Sequence, residues 1–114
     1  MDYFYGMLAG SLIGSGVGGH ALRLISLGPP EPETRDRHFL AVAGIFLYSV
    51  AGVFAGFELI WGPVLSIVGP IIGVTYTLAT KNKVDPFQRV LGVFQILSAL
   101  VGGYILFQRY VGNP

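Results

Sequence analysis

Four side chains in this sequence combine a type and a position that could do chemistry within apolar surroundings: His20, Glu58, Gln95 and Arg109. A carboxylate inside a membrane-length apolar stretch is a candidate proton or cation site, because burying charge in lipid is costly and such residues are usually functional. Glu58 stands only two residues before the expected end of its stretch. The competing and preferred reading is an interfacial acid that reaches headgroups or pairs with Arg109. His20 and Arg23 lie late in the first apolar stretch, where an arginine can extend its head to lipid phosphates. His20 and His38 do not make a metal or haem site, since no further ligands stand at a helical spacing. A hydrogen-bonded structural histidine is the simpler role. Gln95, with Ser98, Tyr48, Thr75 and Tyr76, supplies the remaining polar groups, each expected to contribute about 1 kcal/mol or less across a helix interface. Pro70, flanked by Gly69 and Gly73, predicts a kink that frees the Ser66 carbonyl.

A second pattern concerns packing. Gly6, Gly10, Gly14 and Gly18 recur every four residues, with Gly16 and Gly19 added. At about 100° per residue they drift slowly round one helix face. Such a face lets another helix approach closely enough for dispersion and Cα–H···O contacts to hold the pair in lipid. Gly52 and Gly56 repeat the spacing, and Gly102-Gly103 offer a further point of close contact. The spacing does not say whether the partner helix belongs to this chain or to another.

Enzymatic chemistry finds no motif. There is no cysteine, and no HExxH, GxSxG or phosphate-binding P-loop. Glu31, Glu33 and Asp36 fall in a proline-rich loop that reads as solvated. A cofactor site is not expected.

The elements that must position these residues follow from composition. The chain has 114 residues, of which 53% are hydrophobic and 11% charged, with 17 glycines and a mean hydropathy of +0.66. A soluble domain of this size could not hide so much apolar surface. The net charge of +1, with no basic run, gives no basis for nucleic-acid binding. Crossing a bilayer takes about 20 apolar residues, and four stretches meet that need, near residues 3–27, 38–60, 61–80 and 87–110. The expected fold is therefore an all-α membrane protein, a single four-helix transmembrane domain over residues 1–114. Met1-Asp2 is not basic and the first stretch is long, so it reads as a span rather than a signal peptide. Gly62-Pro63 predicts a very tight turn between the second and third spans, and Asp85-Pro86 a helix start. A three-span reading, with one middle helix re-entrant, would put the C-terminus on the opposite side.

Orientation follows from the distribution of basic residues. Arg23, Arg35, Arg37, Lys81, Lys83 and Arg89 fall on the loop side, against Arg109 on the side of the termini. Loops 28–37 and 81–86 are thus expected in the cytoplasm or its organellar equivalent, with both termini opposite. The function these observations imply is a non-catalytic subunit or assembly partner in a larger membrane complex, packing through its glycine-rich first helix. Its partners would be the bilayer and other transmembrane helices. The alternative is a small homo-oligomeric transporter or channel using Glu58, Gln95 and the Pro70 kink.

Overall fold

A computed structural model describes residues 2–80 and 86–110, and among them every regular element is helical. The first helical run comprises α1 (Asp2–Ser11), a π-helical segment (Leu12–Val17) and α2 (Gly18–Leu27). Then come α3 (Arg35–Gly56), α4 (Trp61–Thr80) and α5 (Pro86–Tyr110). The first run lies along α3 and α5, α3 packs on α4, and α4 packs on α5. The bundle measures 52 × 22 × 19 Å, longer than the roughly 30 Å hydrocarbon core of a bilayer.

Arg35–Gly56, Trp61–Ala79 and Pro86–Tyr110 are each long and apolar enough to cross a membrane. Their outward faces carry large apolar side chains. Phe39, Phe46, Leu78 and Leu100 are all more than half exposed. Water would penalise such a surface at roughly 25 cal/mol per Å², whereas lipid does not.

The change of helical register over Leu12–Val17 has a local cause. Gly14 and Gly16 weaken the α-helical preference, and side chains compete for the backbone. Ser15 Oγ donates to the Ser11 carbonyl at 2.6 Å, and His20 Nδ1 donates to the Gly16 carbonyl at 2.6 Å. The Gly18 N–H reaches back five residues to Ile13 O. Side chains thus satisfy two carbonyls while the ladder shifts, the usual way a π segment is accommodated.

Three sequence expectations need correction, one at the start of α3 and two at the α3–α4 connection. The second helix begins at Arg35 rather than His38, and ends at Gly56 rather than Ile60. The reversal occupies Phe57–Ile60, and Gly62-Pro63 sit in the first turn of α4 instead of forming the turn. A proline there lacks only an N–H that has no helical partner anyway. The α3 end is a Schellman cap: the Leu59 N–H bonds Phe54 O at 2.9 Å and the Glu58 N–H bonds Ala55 O at 3.0 Å. Glu58 fills the left-handed position, with φ of 59°. Gly62 serves another purpose. A methyl group there would lie 2.6 Å from Ala55 N and 2.7 Å from Ala55 Cα, so α3 and α4 touch backbone to backbone.

The core nearest the termini is apolar: Tyr5, Leu8 and Leu12 from the first run meet Tyr48, Ala51 and Ala55 of α3 and Ile105 of α5. Ser11 and Ser98 join hydroxyl to hydroxyl across the bundle, and Arg109 Nη1 donates to Tyr5 Oη at 3.1 Å. At the opposite end, His38 places Nε2 2.8 Å from Gly28 O and Nδ1 2.8 Å from Thr34 O, clamping the connection onto α3.

Candidate intramembrane polar site

Of the four residues that sequence marks as a candidate polar site, the fold brings two together. The amide Nε2 of Gln95 on α5 donates to His20 Nε2 on α2 at 3.3 Å. The carbonyl of Gly16 can only accept, so the ring carries its proton on Nδ1 and presents Nε2 as acceptor. The pair therefore holds a neutral imidazole in one tautomer. Tyr48 stacks on the His20 ring, with centroids 5.5 Å apart and planes at 28°. Glycine makes the space. A methyl on Gly16 would lie 2.6 Å from Tyr48 Cγ, and one on Gly44 would strike the His20 ring, 2.7 Å from its Cγ.

The other two candidates lie elsewhere. Glu58 is exposed in the turn after α3, outside the helix. Gly44, the floor under His20, is twelve residues before the end of α3, about 18 Å along the helix axis. Arg109 binds Tyr5 near the termini. Pro70 is internal to α4, which continues unbroken across it.

His20, Gln95 and Tyr48 line a cleft of about 320 Å³ between α2, α3, α4 and α5. A stripe along α3 forms one wall: Arg37, Leu40, Ala41, Gly44, Leu47 and Tyr48. Ile72 and Gly73 of α4 and Leu91 and Gly92 of α5 face it. Arg23, Arg37, Gln88 and Arg89 gather towards the connections, where α2 ends and α3 and α5 begin. Arg23 is buried, Arg37 half-buried and Arg89 exposed. Glu58 and Pro70 are not among the lining residues.

Sequence reasoning counts Arg23, Arg37 and Arg89 as markers of topology, yet they also converge on this one space. Their signal was positional. Each lies a few residues from a helix end on the same predicted side. Tyr48 carries no such signal, because its role depends on the ring of His20 from another helix.

The packing glycines divide in two. Gly16, Gly19, Gly44, Gly62 and Gly102 each face a neighbour within the chain, and Gly52 meets Ile13. At Gly6, Gly10 and Gly14 an added methyl would have nothing within 4 Å, and at Gly18 only its own helix's Ile13 O. Gly56 likewise meets nothing within 4 Å. Gly14 and Gly18 border a second, apolar groove of about 950 Å³, open to the outside between the first helical run and α5.

No protein-family model, curated protein or solved structure matches the chain.

Proposed function

We propose that this chain is a non-catalytic integral membrane subunit or assembly partner that receives a helix of another membrane protein on the glycine face of its first helical run. The observation that carries this reading is the outward row of Gly6, Gly10 and Gly14, where an added methyl would meet no described residue within 4 Å. A lipid-facing glycine in a helix costs about 0.5–1 kcal/mol against alanine and gains no contact in return. A row of them beside an open apolar groove is suited to close approach by a second helix, where the missing side chains become contact area. In this reading the run from Asp2 to Leu27 crosses the bilayer as one element despite its π segment, making four spans. Both termini then lie opposite the arginine-rich end, which faces the cytoplasm or its organellar equivalent.

Extraction from native membranes in mild detergent tests the proposal. The expected result is a stoichiometric hetero-complex that Gly10→Leu or Gly14→Leu dissociates while the chain itself stays folded. A homogeneous, partner-free homodimer that survives both substitutions overturns it. The transport reading draws less support, since only Gln95 of its three elements reaches the cavity.

A further inference from the structure

We infer that the cleft between α2, α3, α4 and α5 takes a small, neutral, lipid-dissolved molecule whose carbonyl oxygen accepts from the Tyr48 hydroxyl. The hydroxyl itself is the first observation. Tyr48 is 3% exposed and lines the cleft, and its buried Oη has no hydrogen-bond partner among the described residues. A phenylalanine would fill the same space without leaving a polar atom unsatisfied. A buried donor without an acceptor is destabilising and uncommon in folded proteins. The position is suited to an acceptor that comes from outside the chain.

What stands beside that hydroxyl is the second observation. A helical side chain leans towards the N-terminus of its helix, so the Tyr48 ring reaches back over the turn that contains Gly44. A methyl on Gly44 would lie 2.5 Å from His20 Nε2, and one on Gly69 of α4 would lie 3.1 Å from Tyr48 Oη. The hydroxyl thus faces α4, and the His20–Gln95 pair rests on the same turn of α3. Gln95 gives one amide hydrogen to His20. Its second amide hydrogen and its carbonyl oxygen have no partner among the described residues. Phenol, amide and neutral imidazole are all uncharged, and an ion placed among them at membrane depth would be unfavourable. A carbonyl oxygen suits them, since it accepts on two lone pairs and brings no proton that needs an acceptor.

Size and access complete the case. Gly73 and Gly92 line the cleft, and a methyl on either would meet no described residue within 4 Å. The volume of about 320 Å³ lies at the small end of organic-ligand sites. It has room for one ring or a short acyl segment, and not for a whole phospholipid. Ala43, Ile72, Val74 and Leu78 belong both to the lining and to the exposed surface of α3 and α4. These two helices are long and apolar enough to cross a membrane, so the cleft is reached sideways, through faces that lipid covers. Its ligand therefore arrives from the bilayer. The same carbonyl chemistry can come from a quinone-type ring or from a straight acyl chain.

Binding to the purified full-length chain in an alkyl maltoside, a detergent without carbonyl groups, separates these sources. The probes are duroquinone, a straight-chain methyl ketone of the same carbon count, and durene, which keeps the ring and methyl groups of duroquinone without its oxygens. Each is read by thermal shift and native mass spectrometry. Duroquinone should bind about fivefold more tightly than durene, the size of one neutral hydrogen bond. A ketone that matches duroquinone assigns the site to an acyl chain, and one that binds as weakly as durene assigns it to a ring. Tyr48→Phe should erase the preference for duroquinone over durene. The same variant without ligand should melt no lower than the original chain, because it removes an unsatisfied hydroxyl. Gly73→Leu, which adds bulk where a methyl meets nothing, should abolish binding of duroquinone and durene alike, and Arg35→Gln, outside the lining, should change neither. Equal binding of duroquinone and durene, no binding of any probe, an intact preference in Tyr48→Phe, or a ligand-free Tyr48→Phe that melts lower would overturn the proposal.

Discussion

The two glycine populations of this bundle differ in what lies opposite them. Gly16, Gly44, Gly62 and Gly102 are spaces already occupied: Tyr48, His20, the Ala55 backbone and Ser66 sit where a side chain would begin. Gly6, Gly10 and Gly14 are spaces with no occupant among the described residues. The first group specifies how four helices fold on one another, and the second specifies a surface the fold leaves over. Only the second has the regular four-residue spacing. A spacing motif in a membrane helix therefore signals a small-residue face without telling which helix will fill it.

Substitutions can break this contrast, beginning with the largest effect. Gly62→Ala drives a methyl into the Ala55 backbone, which cannot rotate aside. It should cost about 3 kcal/mol, the upper range for overpacking, measured as reversible unfolding in mixed micelles. Gly44→Ala meets a ring instead of a backbone and should cost about 2 kcal/mol. His20→Ala in the same chain should recover part of that loss, because it removes the atom group in the way; strict additivity would show that the two do not clash. Glu58→Gly tests the reverse situation, a side chain where the backbone favours glycine. At φ of 59° the substitution should stabilise by about 1 kcal/mol, and a loss of stability would show that the side chain's interactions outweigh the relief of backbone strain. Gly10→Ala and Gly14→Ala should be smallest, stabilising the isolated chain by about 0.5 kcal/mol through helix preference. A destabilisation like that of Gly44→Ala would mean that the outward face is filled from within.

Much of the helical framework was legible in advance. Hydropathy alone places α4 and α5 to within a residue, because a long apolar stretch in lipid must be helical to pair its backbone. It does not resolve hydrogen-bond register, so the π segment at Leu12–Val17 left no trace in a windowed average. Nor does it separate a helical Phe57–Ile60 from a capped turn, since all of these residues but Glu58 are apolar. The Gly62-Pro63 pair looks like a turn by residue type, yet its glycine is there for the crossing with Ala55. Gly44 is flanked at its neighbouring helical positions by Leu40 and Tyr48, so no small-residue repeat marks it. Of the candidate polar residues, His20 and Gln95 meet because α2 and α5 happen to adjoin, which is a tertiary fact. The loop at 81–85 lies outside the described residues, and Lys81 and Lys83 remain evidence of topology from sequence alone.

The π segment also sets rotational phase along the first helical run. Tyr5, Leu8 and Leu12 point into the apolar core on one side of it, while His20 and Arg23 point into the bundle on the other. Each residue added to or removed from a helix turns everything beyond it by about 100°. Deleting a single residue between Leu12 and Val17 would leave composition and hydropathy almost untouched. Six residues in the wider π turn rotate the chain about as far as five in an α-helix, so the shortened segment would close into ordinary α-helix with both ends still in phase. A run that kept all its residues and lost the π turn would instead swing His20 away from Gln95 and Arg23 away from the cavity. The segment works like a vernier between two scales: one end of the helix is indexed to packing, the other to polar contacts, and the wider turn keeps both aligned.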